Sequence, residues 1–139
     1  MDFDLRASLV RRFLDAANHG DAAALKATVA PDAVLALGGS SRIPELAAPS
    51  VVRGRDEFVK ELGRVRGAGA GISTILEVSD RGPDAVIVRA LEAGLVDREP
   101  SRAARQVGFA VRFRDDLISY LGGFETVQEA EEALTLPPP

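Results

Sequence analysis

Cysteine is absent from the 139-residue chain, which excludes disulfides and thiolate-bound metals. Histidine occurs once, at His19, so a transition-metal cluster is not expected. No apolar run approaches the roughly 20 residues needed to cross a membrane as a helix. Met1 is followed by Asp2 and Asp4 rather than by a basic region and an apolar stretch, so no secretory signal is expected and the location is expected to be cytoplasmic. A basic stripe is missing as well. The 17 Lys and Arg are scattered among 21 Asp and Glu, the net charge is −4, and neither nucleic acid nor a membrane surface is an expected partner. Lysine itself is scarce: Lys26 and Lys60 stand beside 15 arginines, a bias that with the abundant alanine suggests a high-GC bacterial source. There is no glycine-rich phosphate loop and no nucleophile–base set, so no cofactor is expected.

What is present is strong periodicity. Val107, Phe109, Val111 and Phe113 occupy alternate positions of the stretch 105–114, with Gln106, Gly108, Ala110, Arg112 and Arg114 between them. Period two makes this a strand with one bulky apolar face and one small or charged face. The turn Asp115-Asp116 leads into a second strand, 117–124. Upstream, Leu5, Leu9, Val10, Phe13, Leu14 and Ala17 form one helical stripe over 4–18, with Asp2 or Asp4 to cap its start and Gly20 to end it. Asp21 caps a second helix, 22–29, which Pro31 stops. Short strands follow at 33–37 and 51–53, separated by a long connection, 38–50, in which Ile43 and Leu46 are suited to a lid. A third helix spans 55–66, strands are expected at 72–78 and 85–96, a short helix at 127–134, and a frayed tail at 135–139. The chain is long enough for one domain, 1–139. This order gives an α+β fold with helices on one face of a curved, mainly antiparallel sheet.

The phrases Arg12-Phe13-Leu14-Asp15-Ala16-Ala17-Asn18-His19-Gly20-Asp21, Val34-Leu35-Ala36-Leu37 and Val52-Arg53-Gly54-Arg55-Asp56-Glu57-Phe58 resemble the NTF2-like superfamily, especially its SnoaL-like and ketosteroid-isomerase-like bacterial members. The resemblance covers nearly the whole chain. It implies a cone-shaped, cystatin-like fold with three N-terminal helices on the sheet. The cone holds a small hydrophobic molecule, and the other side of the sheet joins two copies into a homodimer. It also implies a pocket lined by Phe13, Leu14, Leu37, Phe58, Leu62, Val107, Phe109, Val111, Tyr120 and Phe124. The tyrosine, aspartate and second acid of the family's steroid isomerases match Phe13, Leu37 and Phe109 here, and the final-strand aspartate of its epoxide hydrolases and cyclases matches Gly122. None of these moves a proton.

Two candidates for chemistry remain. On the strand 85–96 the parity is open between Val86, Val88, Ala90 and Glu92 and the alternative Ile87, Arg89, Leu91 and Ala93. A symmetric hairpin pairs Phe109 with Arg89, whereas a one-residue slip pairs it with Val88 or Ala90 and turns Glu92 inward. Burying Arg89 costs more, so Glu92 is expected in the cone as a desolvated general base. The competing reading is an outward, solvated glutamate. Tyr120, placed by alternation on the inner wall with Ile118, Gly122 and Phe124, is the candidate hydrogen-bond donor to an oxyanion; alternatively its ring is only packed. Arg89 and Arg105 read as rim residues or as partners of a ligand carboxylate, and His19 as a surface turn. The expected function is a non-catalytic binding or dimeric interaction module, with an isomerase, cyclase or hydrolase of a small hydrophobic metabolite as the alternative. The homodimer is expected through the outer face, where Gly108 and Ala110 leave room and Arg112 pairs across a two-fold axis.

Overall fold

A computed structural model describes residues 1–37, 50–65, 72–93, 95–96, 99–100 and 104–137. The connection expected as a lid over 38–50 lies outside the described residues, apart from Ser50. Helix α1 (Phe3–His19) starts where Asp2 Oδ1 accepts from Leu5 N–H at 2.9 Å and stops where Gly20 enters the left-handed region at φ 67°. One residue on, Asp21 caps α2 (Ala22–Thr28) by accepting from Ala24 N–H. Asp21 therefore closes one helix and opens the next, since its own N–H donates to Ala16 O at 2.9 Å.

Strand β1 (Val29–Leu37) begins directly after α2, four residues earlier than the sequence suggests. The reason is Pro31. Between Val29, opposite Ile118, and Val34, opposite Tyr120, β1 spends five residues against two on its partner, and the donor-less proline sits in that excursion. Arg55 Nε donates to Val29 O at 2.9 Å and Gly54 N–H to Ala33 O at 2.8 Å, so the turn from β2 (Ser50–Arg53) into α3 (Arg55–Val65) supplies the hydrogen bonds the excursion leaves open.

The strands β3 (Ile72–Asp80), β4 (Ala85–Ala93), β7 (Arg105–Arg114) and β8 (Leu117–Phe124) form an antiparallel meander, and β1 joins β8 in parallel. The curved six-stranded sheet runs β2–β1–β8–β7–β4–β3. The stretch expected as one strand over 85–96 ends at Ala93, and β5 (Leu95–Val96) and β6 (Glu99–Pro100) pair separately as a small hairpin. Helices α1 to α3 pack on the inner face around Leu9, Val10, Phe13, Phe58, Val88, Phe109 and Val111. Arg6, only 3 % exposed, fastens the start of α1 to the β3–β4 turn by donating to Asp80 Oδ1 at 2.8 Å and Pro83 O at 2.7 Å.

The outer face is covered from within the same chain. Helix α4 (Val127–Leu134) lies over β4, β7 and β8, burying Ala130 with Val34, Ile87, Ala110 and Tyr120. The features expected to receive a second copy, Gly108, Ala110 and Arg112, are thus taken up by α4. A Cβ on Gly108 would stand 2.7 Å from Thr126 O, and Arg112 Nη2 donates to Leu134 O at 2.8 Å and Leu136 O at 2.9 Å. A sheet-on-sheet contact at those three residues is corrected to an intramolecular one. Small residues admit a helix backbone as well as a partner sheet.

Candidate functional site

A cavity of about 160 Å³ lies between the three N-terminal helices and the inner face of the sheet. From α1 come Phe13, Leu14 and Ala17; α2 adds Leu25 and α3 adds Val59 and Leu62. The sheet closes it with Leu37, Phe109 and Leu121. Gly123 makes this wall possible: a Cβ there would stand 3.2 Å from Leu37 Cδ2 and 3.6 Å from Phe109 Cε1, so the two side chains reach across β8 where it has none.

At one end the lining becomes polar. Asn18 donates through Nδ2 to Ser73 O and accepts at Oδ1 from Ser73 N–H, each at 2.9 Å. The helix-ending Asn-x-Gly-Asp phrase thereby does a second job: its asparagine imitates a neighbouring strand and ties α1 to β3. Ser73 stands opposite Glu92 in the sheet, and Glu92 opposite Arg105. Phe109 is opposite Val88, which is the slipped register, so Glu92 projects from the inner face and lines the cavity. Its side chain is 21 % exposed; Arg105, 33 % exposed, approaches it to 3.5 Å and Glu125 to 3.5 Å as well. Burial pushes the Glu92 carboxyl above the usual carboxylate range, and Arg105 offsets part of that rise.

Five of the ten residues expected in the pocket line the cavity: Phe13, Leu14, Leu37, Leu62 and Phe109. Phe58 stands one layer back, edge-on to Phe13 with ring centroids 5.9 Å apart. Val107 and Val111 belong to the same inner core without touching the cavity. Tyr120 and Phe124 face the other way, and this is a correction. Arg112 pairs with Tyr120 but Phe113 with Ile118, so Ser119 is an extra residue in β8 and the alternation reverses there. Ile118 stays inward, Leu121 and Gly123 follow it, and Tyr120, Gly122 and Phe124 turn toward α4. Tyr120 is therefore not beside Glu92. Burial raises its phenol, against a smaller opposing effect of Arg112.

The remaining candidates lie off the cavity. Arg89 is opposite Gly108 on the outer face, and His19 is an exposed helix-end residue whose ring nitrogen is 2.8 Å from Asp15 O. Sequence reasoning missed Leu121, hidden by the bulge, and Asn18 and Ser73, whose mutual bond joins residues 55 apart in the chain. Among the described residues no three His, Asp or Glu side chains gather as metal ligands, and no helix is long and apolar enough to cross a membrane.

Comparison with known proteins agrees with this geometry. The SnoaL-like domain family matches residues 10–121. Among solved structures, a candidate polyketide cyclase from Sinorhizobium meliloti is 23 % identical over 84 % of this chain and 93 % of its own, with a TM-score of 0.65. A protein of ketosteroid-isomerase-like fold from Catenulispora acidiphila, in complex with trimethylamine, is 18 % identical over 93 % of each chain at a TM-score of 0.68. An epoxide hydrolase of M. tuberculosis is 19 % identical over 92 % of this chain and 87 % of its own at 0.63. At these identities the structures establish the fold. No match was found among curated proteins.

Proposed function

This chain belongs to the SnoaL-like family, and we propose that it binds a small apolar molecule in the cavity under α1 to α3 without transforming it. One observation carries the reading: Phe13, Leu37 and Phe109, the positions matched to the acid–base groups of the steroid isomerases, all line the cavity, and all are hydrocarbon. Nearly every other wall residue is apolar too, which suits a ligand held by burial. Saturation-transfer NMR with toluene and naphthalene as probes tests it. Transfer to at least one probe is expected, lost in Leu62→Trp at an unchanged melting temperature. Silence from every probe would remove the proposal.

A second reading, an isomerase, cyclase or hydrolase of a small hydrophobic metabolite, is favoured by Glu92, a carboxyl raised by burial at the polar end of a mostly apolar cavity. A carbon-13 titration of Glu92 with its midpoint at the ordinary value of about 4.3 would leave the cavity without a base. Under either reading we propose a homodimer contact along the edge strand β3, where Thr74 and Leu76 are exposed. Sedimentation at a monomer mass would refute it.

A further inference from the structure

We infer that the molecule this cavity takes has a body about the size of one six-membered ring and a hydrogen-bond-donating head, hydroxyl or amine, seated on the Glu92 carboxylate. The inference rests on the binding reading above and specifies its ligand. Size is the first argument. A volume of about 160 Å³ is close to the roughly 150 Å³ apolar cavity that takes up benzene, and far below the roughly 300–1,000 Å³ of drug-sized sites. A second fused ring would fill it beyond the packing density of a protein interior and has to protrude through the open side.

Head-group chemistry follows from what the polar end offers. Glu92 is the sole ionisable side chain among the described lining residues. Asn18 spends one of its two amide N–H donors and its oxygen on the Ser73 backbone, so it offers an anion at most one neutral N–H against the Glu92 charge. Arg105 does not saturate Glu92: at 3.5 Å it is farther than the roughly 2.7–2.9 Å of a charge-assisted hydrogen bond, and it is shared with Glu125. A carboxylate has about four lone-pair sites, so among the described residues its acceptor capacity toward the cavity exceeds what Arg105 takes up. A donor on the ligand satisfies it, whereas a ligand carboxylate would meet like charge in a partly desolvated site.

The test is calorimetry on the full chain with benzylamine, benzyl alcohol, toluene, benzoate and 2-naphthylmethanol, using wild type, Glu92→Gln and Glu92→Leu. Benzylamine and benzyl alcohol are expected to bind about tenfold tighter than toluene, the worth of one hydrogen bond to a charged group, with benzoate and the two-ring alcohol weakest. Glu92→Leu should bring both favoured ligands to the level of toluene. Glu92→Gln separates the two heads, because it keeps an acceptor oxygen without charge: the alcohol retains its advantage and the amine loses it. Benzylamine affinity should also rise with pH as Glu92 ionises, the facing charges being Arg105 and, behind it, Glu125. Toluene binding as tightly as the donors, benzoate equalling benzylamine, or the two-ring alcohol exceeding benzyl alcohol would each overturn the inference while leaving the cavity a binder. Failure of all five compounds would overturn the binding reading itself.

Discussion

The two faces of this sheet use the same kinds of residue to opposite ends. Outside, glycine is filled by its neighbours: the space a Cβ would need at Gly108 is taken by the Thr126–Val127 backbone, and at Gly122 by the Tyr120 hydroxyl and by the Phe124 ring at 2.8 Å. Inside, the helices stand off the sheet at one end, and about 160 Å³ is left between Leu14, Leu62 and Phe109. A helix backbone slides into a groove of small residues and leaves nothing over; bulky side chains meeting across the inner face leave a gap. The outer face is therefore read as structure and the inner face as the site.

Three predictions break or sharpen that contrast. The largest effect is expected from Phe58→Ala, since the ring is fully buried against Phe13 and its loss should cost about 3–5 kcal/mol in denaturant melts. The vacated space adjoins the cavity through Phe13, so a two-ring probe should gain affinity relative to a one-ring probe.

Next is Gly108→Ala, which drives a methyl into the start of α4, 2.8 Å from Val127 Cα. A loss of about 1–3 kcal/mol is expected, with faster amide exchange confined to α4 and ligand affinity on the inner face unchanged. Loss of affinity there would mean that the faces are not independent.

The smallest effect is a pH dependence. Burial raises the Glu92 carboxyl, partly offset by Arg105, so just above the ordinary carboxylate range the folded chain keeps a proton that the unfolded chain has released. Stability should fall as pH rises through that window. Glu92→Gln should flatten this part of the curve in urea midpoints, while Tyr120→Phe, on the outer face, should alter neither the curve nor ligand affinity.

The sequence by itself determined what depends on near neighbours. The stripe of α1 from Leu9 onward, the Gly20–Asp21 punctuation and the alternation of β7 are local periodicities and caps, legible from residue types within a few positions; Leu5, expected in that stripe, is exposed, and Arg6 is buried instead. The Asp115-Asp116 turn belongs with them, both residues having positive φ at 53° and 61°, as a tight hairpin turn requires. Part of the cavity wall followed from these, because Phe13, Leu14 and Phe109 lie on faces that periodicity assigns. Only the tertiary structure decided the rest. The extra residue at Ser119 reverses the parity of β8, removing Tyr120 from the site and supplying Leu121. The Pro31 excursion lengthens β1, and α4 occupies the face that Gly108 and Ala110 leave low. Glu92 belongs to both: cost arguments pointed it inward, but the Phe109–Val88 register placed it there. Strand register, bulges and the covering of a face depend on contacts between residues far apart in the chain, and a period-two pattern carries no information about which partner residue will stand opposite.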